Sequence, residues 1–230
     1  MYNYQNCHIL KGFGLLSVKA VLFDLDGTLL NTIDDLANAV NFALAKEGYP
    51  THSVEKFKYF VGNGTDLMIQ RALPEDKKDM AYVQRLKPIY VEYYDTHSDV
   101  FTRPYDGILE LLKELKEKGI KLAVVSNKID CMTQLVIEQY FPNSFDFVSG
   151  QIDGYAVKPD PALALLACEK LGVKPKDCLF VGDTGVDAAT GKNAGIFTVG
   201  VLWGFRDKAE LLDNGANAII EKPSELHKYL

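Results

Sequence analysis

The segment AVLFDLDGT at positions 20–28 constrains the fold of this chain more than any other stretch. Its first four residues are apolar without a polar break, which predicts a strand covered on both faces, as in a parallel sheet. Asp24 and Asp26 follow at once, and in extended geometry their side chains point to the same side, about 6–7 Å apart. Because two nearby carboxylates repel each other, the pair needs a cation between them or a proton on one of them.

Both of these solutions suit catalysis. A strand end with a divalent metal, one ionised Asp and one protonated Asp offers a nucleophile, charge neutralisation, and an acid for a leaving oxygen, which together serve phosphoryl transfer. On local grounds, an ordinary Asp-Gly turn at Gly27 explains the same residues equally well. The choice between a catalytic site and a turn therefore depends on the rest of the chain.

Length and charge limit the class of protein. The 230 residues, 47% of them hydrophobic and 24% charged, suit a globular protein with one large domain or with a core and a smaller insertion. The net charge of −6 argues against a general nucleic-acid or anionic-membrane surface. Four scattered cysteines without a C-x-x-C pair predict reduced thiols in a cytoplasmic protein. We therefore expect no nucleic-acid or membrane partner, and a monomer or a homodimer.

The residues that follow the strand predict helices with no strand between them. Segments with a helical pattern lie at 31–48, 54–59, 66–73 and 76–97. Thr32 and Asp35 have the spacing of a capping box for the first of these helices. We therefore predict that 33–99 is a small α-helical cap domain inserted into the main fold.

The remaining chain alternates between strand and helix patterns. Apolar runs predict further strands at 120–125, 145–149, 178–181, 196–201 and 217–220. Helices are predicted between them, and Asp106 and Asp187 have the positions of helix caps. This pattern predicts an α/β fold with a doubly wound, mostly parallel sheet, a Rossmann-like core formed by 17–32 and 100–230. Residues 1–16 precede the core as an N-terminal extension.

Polar residues stand just past several of the predicted strands. Ligands of open α/β sheets bind at the carboxyl ends of the strands, so these residues are expected to meet at one edge. They are Asp24, Asp26, Ser126, Asn127, Asp183 and Asp187, with Lys158 in a proline-containing loop that can return to the same edge. Each has an ordinary explanation alone, as a turn, a surface charge or a helix cap. Together they supply a nucleophile, polar donors, a cation and metal ligands, and therefore predict one site.

The helical insertion carries a second candidate region. Gly62, Asn63 and Gly64 join two helices, and Thr65 begins the second, where backbone N–H groups bind anions well. An ordinary helix C-cap and turn is the simpler local explanation of the two glycines. Arg71 lies on the same helix and is a candidate for an anionic substrate group, although a lone Arg is usually a solvated side chain.

With these residues in place, the chain resembles the haloacid dehalogenase superfamily. The four motifs of that family stand in order as DLDGT, VVSN, Lys158 in VKPDP, and GDTGVD. The insertion at 33–99 is similar to the family's small cap domain. The phosphoglycolate phosphatase branch is most similar, on the segments GNGTDLMIQRAL, SNK and FDFVSGQIDGYAVKPDP. The segment NTID at 31–34 departs slightly from the family's frequent Asp-Ser/Thr pair, which leaves the catalytic positions complete.

The resemblance implies roles for these residues. Asp24 is implied to attack phosphorus and form an aspartyl-phosphate, while Asp26 protonates the leaving alcohol and then activates water. Ser126 and Lys158 are implied to hold phosphoryl oxygens. The implied cofactor is Mg²⁺, bound by Asp24, Asp26 through its carbonyl, Asp183 and Asp187, the last of which orients either this shell or Lys158. Expected substrate contacts are Thr28, Asn127, Gly62, Asn63, Gly64, Thr65 and Arg71.

The resulting hypothesis is Mg²⁺-dependent hydrolysis of a small phosphorylated metabolite, with 2-phosphoglycolate as the first candidate. A pyrophosphatase, a nucleotidase and a sugar-phosphate mutase are the alternatives within the enzyme class. A catalytically silent sensor of phosphorylated metabolites is the alternative from another class. The intact Asp24, Asp26, Lys158 and Asp183 argue against the sensor.

Overall fold

A computed structural model of the protein describes residues 18–230. The N-terminal extension predicted at 1–16 lies outside the described residues. The described chain forms a parallel sheet with helices on both faces and one inserted group of helices. This architecture confirms the predicted fold class. Among residues 18–230, no helix combines the length and the apolar character of a membrane span.

Residues 18–230 contain eight strands, which form two sheets. They are β1 (Ala20–Phe23), β2 (Leu30–Asn31), β3 (Arg103–Pro104), β4 (Lys121–Ile129), β5 (Phe147–Gln151), β6 (Cys178–Gly182), β7 (Phe197–Val201) and β8 (Ala218–Ile220). Six of them form the main sheet in the order β5-β4-β1-β6-β7-β8, with every neighbouring pair parallel. Strands β2 and β3 form a short antiparallel pair. The strand with the two Asp residues at its end thus lies in the middle of the sheet.

Helices cover both faces of this sheet. They are α5 (Ile108–Glu117), α6 (Asp130–Tyr140), α7 (Ala162–Leu171), α8 (Gly185–Ala194) and α9 (Lys208–Asp213), after the inserted α1 (Ile33–Lys46), α2 (Val54–Phe60), α3 (Thr65–Ala72) and α4 (Met80–His97). In β1, Val21 and Phe23 pack with residues of α5 and α6, while Ala20 and Leu22 pack with residues of α7 on the other face. Burial on both faces explains the unbroken apolar run of this strand.

The inserted helices α1–α4, which we call the cap helices, form a second hydrophobic cluster that Met132 and Phe205 of the main fold join. They enter after β2 and leave before β3, so two chain segments join them to the sheet. Phe57, Tyr90 and Tyr94 are the large buried side chains of this cluster. Helix α4 continues through Pro88, and a separate 3-10 turn at Glu75–Lys77 precedes it.

The predicted capping box at the start of α1 is wrong. Thr32 makes no cap hydrogen bond, and its hydroxyl has no partner among the described residues. The Asp35 carboxylate instead accepts hydrogen bonds of 2.8–3.1 Å from the backbone N–H groups of Phe101 and Thr102 and from the Thr102 hydroxyl. These donors belong to the segment that returns from the cap helices to the sheet. Asp35 therefore connects the two chain segments that join the cap helices to the sheet.

Two further helix caps differ from the sequence prediction. Gly107, with φ at +85°, is the N-cap of α5 in place of Asp106. Thr184 is the N-cap of α8, and Asp187 occupies the third helical position of a complete capping box. A short polar residue near the start of a helix predicts the N-cap only to within a few positions. The conformation of the preceding loop determines which residue is the N-cap.

Candidate active site

The carboxyl ends of three neighbouring strands form the base of the site. Phe23 pairs in register with Val124 of β4 and Val181 of β6, so the residues that follow all three strands lie close together. Asp24 and Asp183 stand directly after β1 and β6. The predicted Ser126 and Asn127 lie at the irregular end of β4, where its pairing with β5 changes register.

Lys158 reaches this edge from the loop between β5 and α7. Its ammonium lies 2.8 Å from Asp24 Oδ1 and 2.6 Å from Asp187 Oδ1, and the side chain is buried. Burial alone lowers the pKa of Lys158, but the charges of Asp187 and Asp24 outweigh burial and raise it. Lys158 therefore stays protonated between two carboxylates.

The Asn127 side chain fixes the loop that carries Lys158. Its Oδ1 accepts a hydrogen bond of 2.8 Å from the Lys158 backbone N–H, and its Nδ2 donates to Lys158 O at 3.0 Å and to Gly62 O at 3.1 Å. We expected Asn127 to contact substrate. Its amide joins the Lys158 loop to the cap helices and so positions Lys158, while substrate contact by Asn127, which lines the cavity, stays a prediction.

Gly27 and Thr28, in the turn after β1, both contact the Asp183 carboxylate or lie against it. The Thr28 hydroxyl donates to Asp183 Oδ1 at 3.0 Å, and the Phe205 N–H donates to Asp183 Oδ2 at 2.8 Å. Gly27 has φ at +89°, and a Cβ on it would lie 2.3 Å from Asp183 Oδ2. The turn therefore needs glycine, and Thr28, which we expected to bind substrate, orients a carboxylate through its buried hydroxyl.

Three buried carboxylates fit a divalent cation. Asp24, Asp183 and Asp187 each offer an oxygen within 4.8 Å of the other two. Burial, followed by the charge of Asp187, raises the pKa of Asp24 to about 7, although Lys158 opposes the shift. Burial and the charges of Asp187 and Asp24 raise the pKa of Asp183 well above its ordinary value. The cluster thus has less positive charge than three ionised carboxylates need, and a divalent cation bound here would supply the missing charge.

The three carboxylates differ in the lone pairs they have free. Asp187 Oδ2 accepts two hydrogen bonds from Thr184, at 3.0 and 2.7 Å, and Asp187 Oδ1 pairs with Lys158. Each oxygen of Asp183 accepts one hydrogen bond, from Thr28 or from Phe205, and keeps a second lone pair. Asp24 and Asp183 are therefore the better metal ligands, and Asp187 is better suited to hold Lys158.

A cavity with a volume of about 40 Å³ separates the core from the cap helices. Its described lining residues are Asp24, Asp26, Ser126, Asn127 and Lys128 from the core and Leu36, Val61, Gly62, Gly64, Thr65, Met68 and Tyr90 from the cap. The predicted loop residues Gly62, Gly64 and Thr65 thus face Asp24 and Asp26. A cavity of this volume holds only a few water molecules in the conformation described, so a larger ligand requires the cap helices to move.

Arg71 and Asn63 are not among the described lining residues. The Arg71 guanidinium donates to Phe60 O at 2.9 Å and to Asn63 Oδ1 at 2.7 Å. Both side chains are therefore engaged in supporting the loop at 62–65. A direct substrate contact by either residue stays a prediction, and this geometry favours a supporting role.

Lys128 also belongs to the site, although the sequence pattern did not identify it. Its ammonium lies 3.3 and 3.5 Å from the two Asp26 carboxylate oxygens and donates to the Tyr94 hydroxyl at 2.8 Å. The ammonium also lies 4.4 Å from the centre of the Tyr94 ring. Burial, with the charge of Asp26, raises the pKa of Tyr94 well above its ordinary value, so its hydroxyl keeps its proton. The strand-end rule that identified Ser126 also applies to Lys128, two positions later.

Arg206, also missed, joins the core to α2 from outside the cavity. Its guanidinium donates to Lys58 O and, at 3.1 Å, to Val61 O, and it lies 5.5 Å from the centre of the Tyr59 ring. Together with the bond from Asn127 to Gly62 O, these contacts hold the cap helices against the sheet edge.

Comparison with known proteins agrees with this architecture. The model of the haloacid dehalogenase-like hydrolases matches residues 21–201. The phosphoglycolate phosphatase of Nitrosospira multiformis is 33% identical over 219 residues, which cover 94% of this chain and 96% of that protein. The phosphoglycolate phosphatase of Mannheimia succiniciproducens is 35% identical over 217 residues, which cover 91% of this chain and 97% of that protein. A solved structure of a provisionally assigned phosphoglycolate phosphatase from Lactobacillus delbrueckii subsp. bulgaricus has a TM-score of 0.87 at 34% identity, covering 92% of this chain and 97% of its own. The chain belongs to the haloacid dehalogenase-like hydrolases.

Proposed function

We propose that this protein is a magnesium-dependent phosphatase that hydrolyses 2-phosphoglycolate. The observation that carries the proposal is the buried pair of Asp24 and Lys158, which adjoins Asp183 beside a cavity of about 40 Å³. The small volume of the cavity argues against a nucleotide and favours a small phosphomonoester, which enters when the cap helices move. The names of the similar phosphatases support 2-phosphoglycolate in particular.

The first half of the reaction transfers the phosphoryl group to the enzyme. An Asp24 carboxylate oxygen forms a bond to phosphorus, and the bond from phosphorus to the alcohol oxygen breaks, which gives an aspartyl-phosphate. Asp26 lines the same cavity; after it takes up a proton, it donates that proton to the leaving alcohol oxygen. Two donors of Lys158 face Asp24 and Asp187, which leaves its third donor for a phosphoryl oxygen.

The second half releases phosphate. Asp26, now deprotonated, accepts a proton from a water molecule that attacks phosphorus, and Asp24 leaves as a free carboxylate. The Ser126 hydroxyl, buried at the cavity, is placed to bind a phosphoryl oxygen in both halves. Mg²⁺, held by Asp24, Asp183 and the Asp26 carbonyl, would neutralise the charge of the phosphoryl oxygens. Asp187 keeps Lys158 in position.

Phosphate release from a panel of phosphorylated metabolites tests this proposal. We expect 2-phosphoglycolate to give the highest kcat/KM, a chelator to abolish release, and added Mg²⁺ to restore it. Asp24→Asn should lower turnover by at least ~10³-fold with the fold retained, because the amide is a poor nucleophile. The exposed Asp106→Asn is the matched control. Isomerised sugar phosphate without free phosphate would indicate a mutase, and a folded Asp24→Asn protein with more than about a tenth of the activity would refute the role of Asp24.

A further inference from the structure

Lys128 is the one cationic side chain among the described residues that line the cavity. Asp24 and Asp26 are the charged side chains that accompany it there. Lys158 lies behind Asp24, where it pairs with two carboxylates. The Arg71 guanidinium donates to two oxygens of the cap. If a substrate carries a second anionic group besides the phosphoryl group, Lys128 is therefore the cation in the described lining that can bind it.

The ion pair between Lys128 and Asp26 is loose. Its N–O distances are 3.3 and 3.5 Å, whereas hydrogen bonds between ammonium and carboxylate groups are usually about 2.7–2.9 Å long. Lys158 meets its carboxylates at 2.8 and 2.6 Å. The Lys128 side chain is nevertheless only 3% exposed, so water does little to satisfy its charge. A buried cation with a loose partner is suited to a second, incoming anion.

Tyr94 fixes the position of this cation from the cap side. The hydroxyl accepts one Lys128 hydrogen bond at 2.8 Å, and the ring face lies next to the ammonium. Tyr94 is on α4 and Lys128 is on β4, so the ammonium is held between the cap and the core. The contact gives Lys128 a defined place in the small cavity, close to the leaving-group side marked by Asp26.

We infer that Lys128 selects substrates by binding a carboxylate that lies next to the phosphate ester. This inference rests on the proposed function and assigns its specificity to a residue of the core. Without Lys128, a substrate carboxylate would face Asp24 and Asp26 in a cavity with no other cation among its described lining residues. Backbone N–H groups at the start of α3, next to Gly64 and Thr65, can complete the carboxylate site.

Two substrates that differ in one group test the inference. Ethyl phosphate has the ester skeleton of 2-phosphoglycolate with a methyl group in place of the carboxylate. We expect the unaltered enzyme to prefer 2-phosphoglycolate and Lys128→Met to reduce that preference, measured as the ratio of kcat/KM values, by ~10–100-fold, the effect of one lost hydrogen bond between charged groups. The loss should fall mainly on KM. Lys128→Arg, which keeps the charge, should retain most of the preference.

Lys113→Met is the matched control, because Lys113 is an exposed lysine of α5 that pairs only loosely with Glu117, at 3.9 Å. An equal loss on both substrates in Lys128→Met would make Lys128 a counterion of Asp26 and overturn the inference. If Lys128→Met does not fold, Lys128→Gln replaces it in the same comparison. An unaltered enzyme that releases phosphate from neither substrate would refute the proposed function instead.

Discussion

Gly27 shows how a single residue controls the carboxylates of the site. Its φ of +89° suits glycine, and a Cβ there would lie 2.3 Å from the Asp183 carboxylate. We expect Gly27→Ala to lower activity by ~100-fold, because Asp183 must shift by a large fraction of an ångström. The free energy of unfolding should also fall by more than the ~1–2 kcal/mol that a left-handed alanine costs. Phosphate release and urea unfolding measure the two effects.

Gly48→Ala is the matched control for Gly27→Ala. Gly48 has a φ of +74°, and a Cβ there would have no heavy atom within 4 Å. This variant should lose only the backbone cost of ~1–2 kcal/mol and keep its activity. If both variants lost the same stability and neither lost activity, contact with Asp183 would not be the reason for glycine at position 27.

At the level of single residues, the strand-end rule found most of the site. Asp24, Ser126 and Asp183 follow buried apolar runs, and the parallel sheet brings them to one edge. The partners of side chains on loops and helices could not be found in this way. Arg71 donates to Asn63 in the neighbouring loop, and Lys128 donates to Tyr94 of α4. Both contacts depend on how the cap helices pack, which the sequence pattern does not show.

At the level of elements, the Asp35 carboxylate connects the two chain segments that join the cap to the core. It accepts hydrogen bonds from the Phe101 and Thr102 N–H groups and the Thr102 hydroxyl, so it connects α1 to the segment before β3. Asp35→Asn should cost ~1.5–3 kcal/mol of the free energy of unfolding, since a neutral amide replaces a charged acceptor. Urea unfolding measures the loss.

Asp34→Asn is the control for Asp35→Asn, because both carboxylates lie in the first turn of α1 and favour its N-terminus alike. The control should change the free energy of unfolding by less than ~0.5 kcal/mol, as a substitution without buried partners does. Equal effects of the two substitutions would mean that the helix terminus, and not the connection to Phe101 and Thr102, accounts for the stability.

The long elements were predictable, and the short ones were not. The helices Asp130–Tyr140 and Ala162–Leu171 lie between strands, where the alternating pattern predicts helices, since apolar spacing and flanking turn residues mark them clearly. Strands β2 and β3 are two residues each and have no periodicity to read. The capping box at Thr32 failed because tertiary donors offered Asp35 more hydrogen bonds than its own helix did.

On the scale of the whole molecule, the cavity lies between the cap helices and the edge of the sheet. The cap helices share a hydrophobic cluster with Met132 and Phe205 of the core, and two chain crossings join them to the sheet. Contacts from Asn127, Lys128 and Arg206 of the core reach Gly62, Tyr94 and Val61 of the cap, respectively. We propose that these contacts break and reform in each turnover, because substrate must enter a cavity that then excludes water.

Cross-linking tests this motion in the complete protein. Glu55 on α2 and Lys208 on α9 are exposed and line the same outer cleft between cap and core. With Cys7 and Cys131 replaced by Ser, Glu55→Cys and Lys208→Cys can be joined by a short, reducible bismaleimide. We expect turnover to fall at least ~10-fold on linking and to recover on reduction, because the linked cap cannot open. Each single-cysteine variant, treated with the same reagent, should keep its activity. Full turnover in the linked protein would show that substrate enters without movement of the cap.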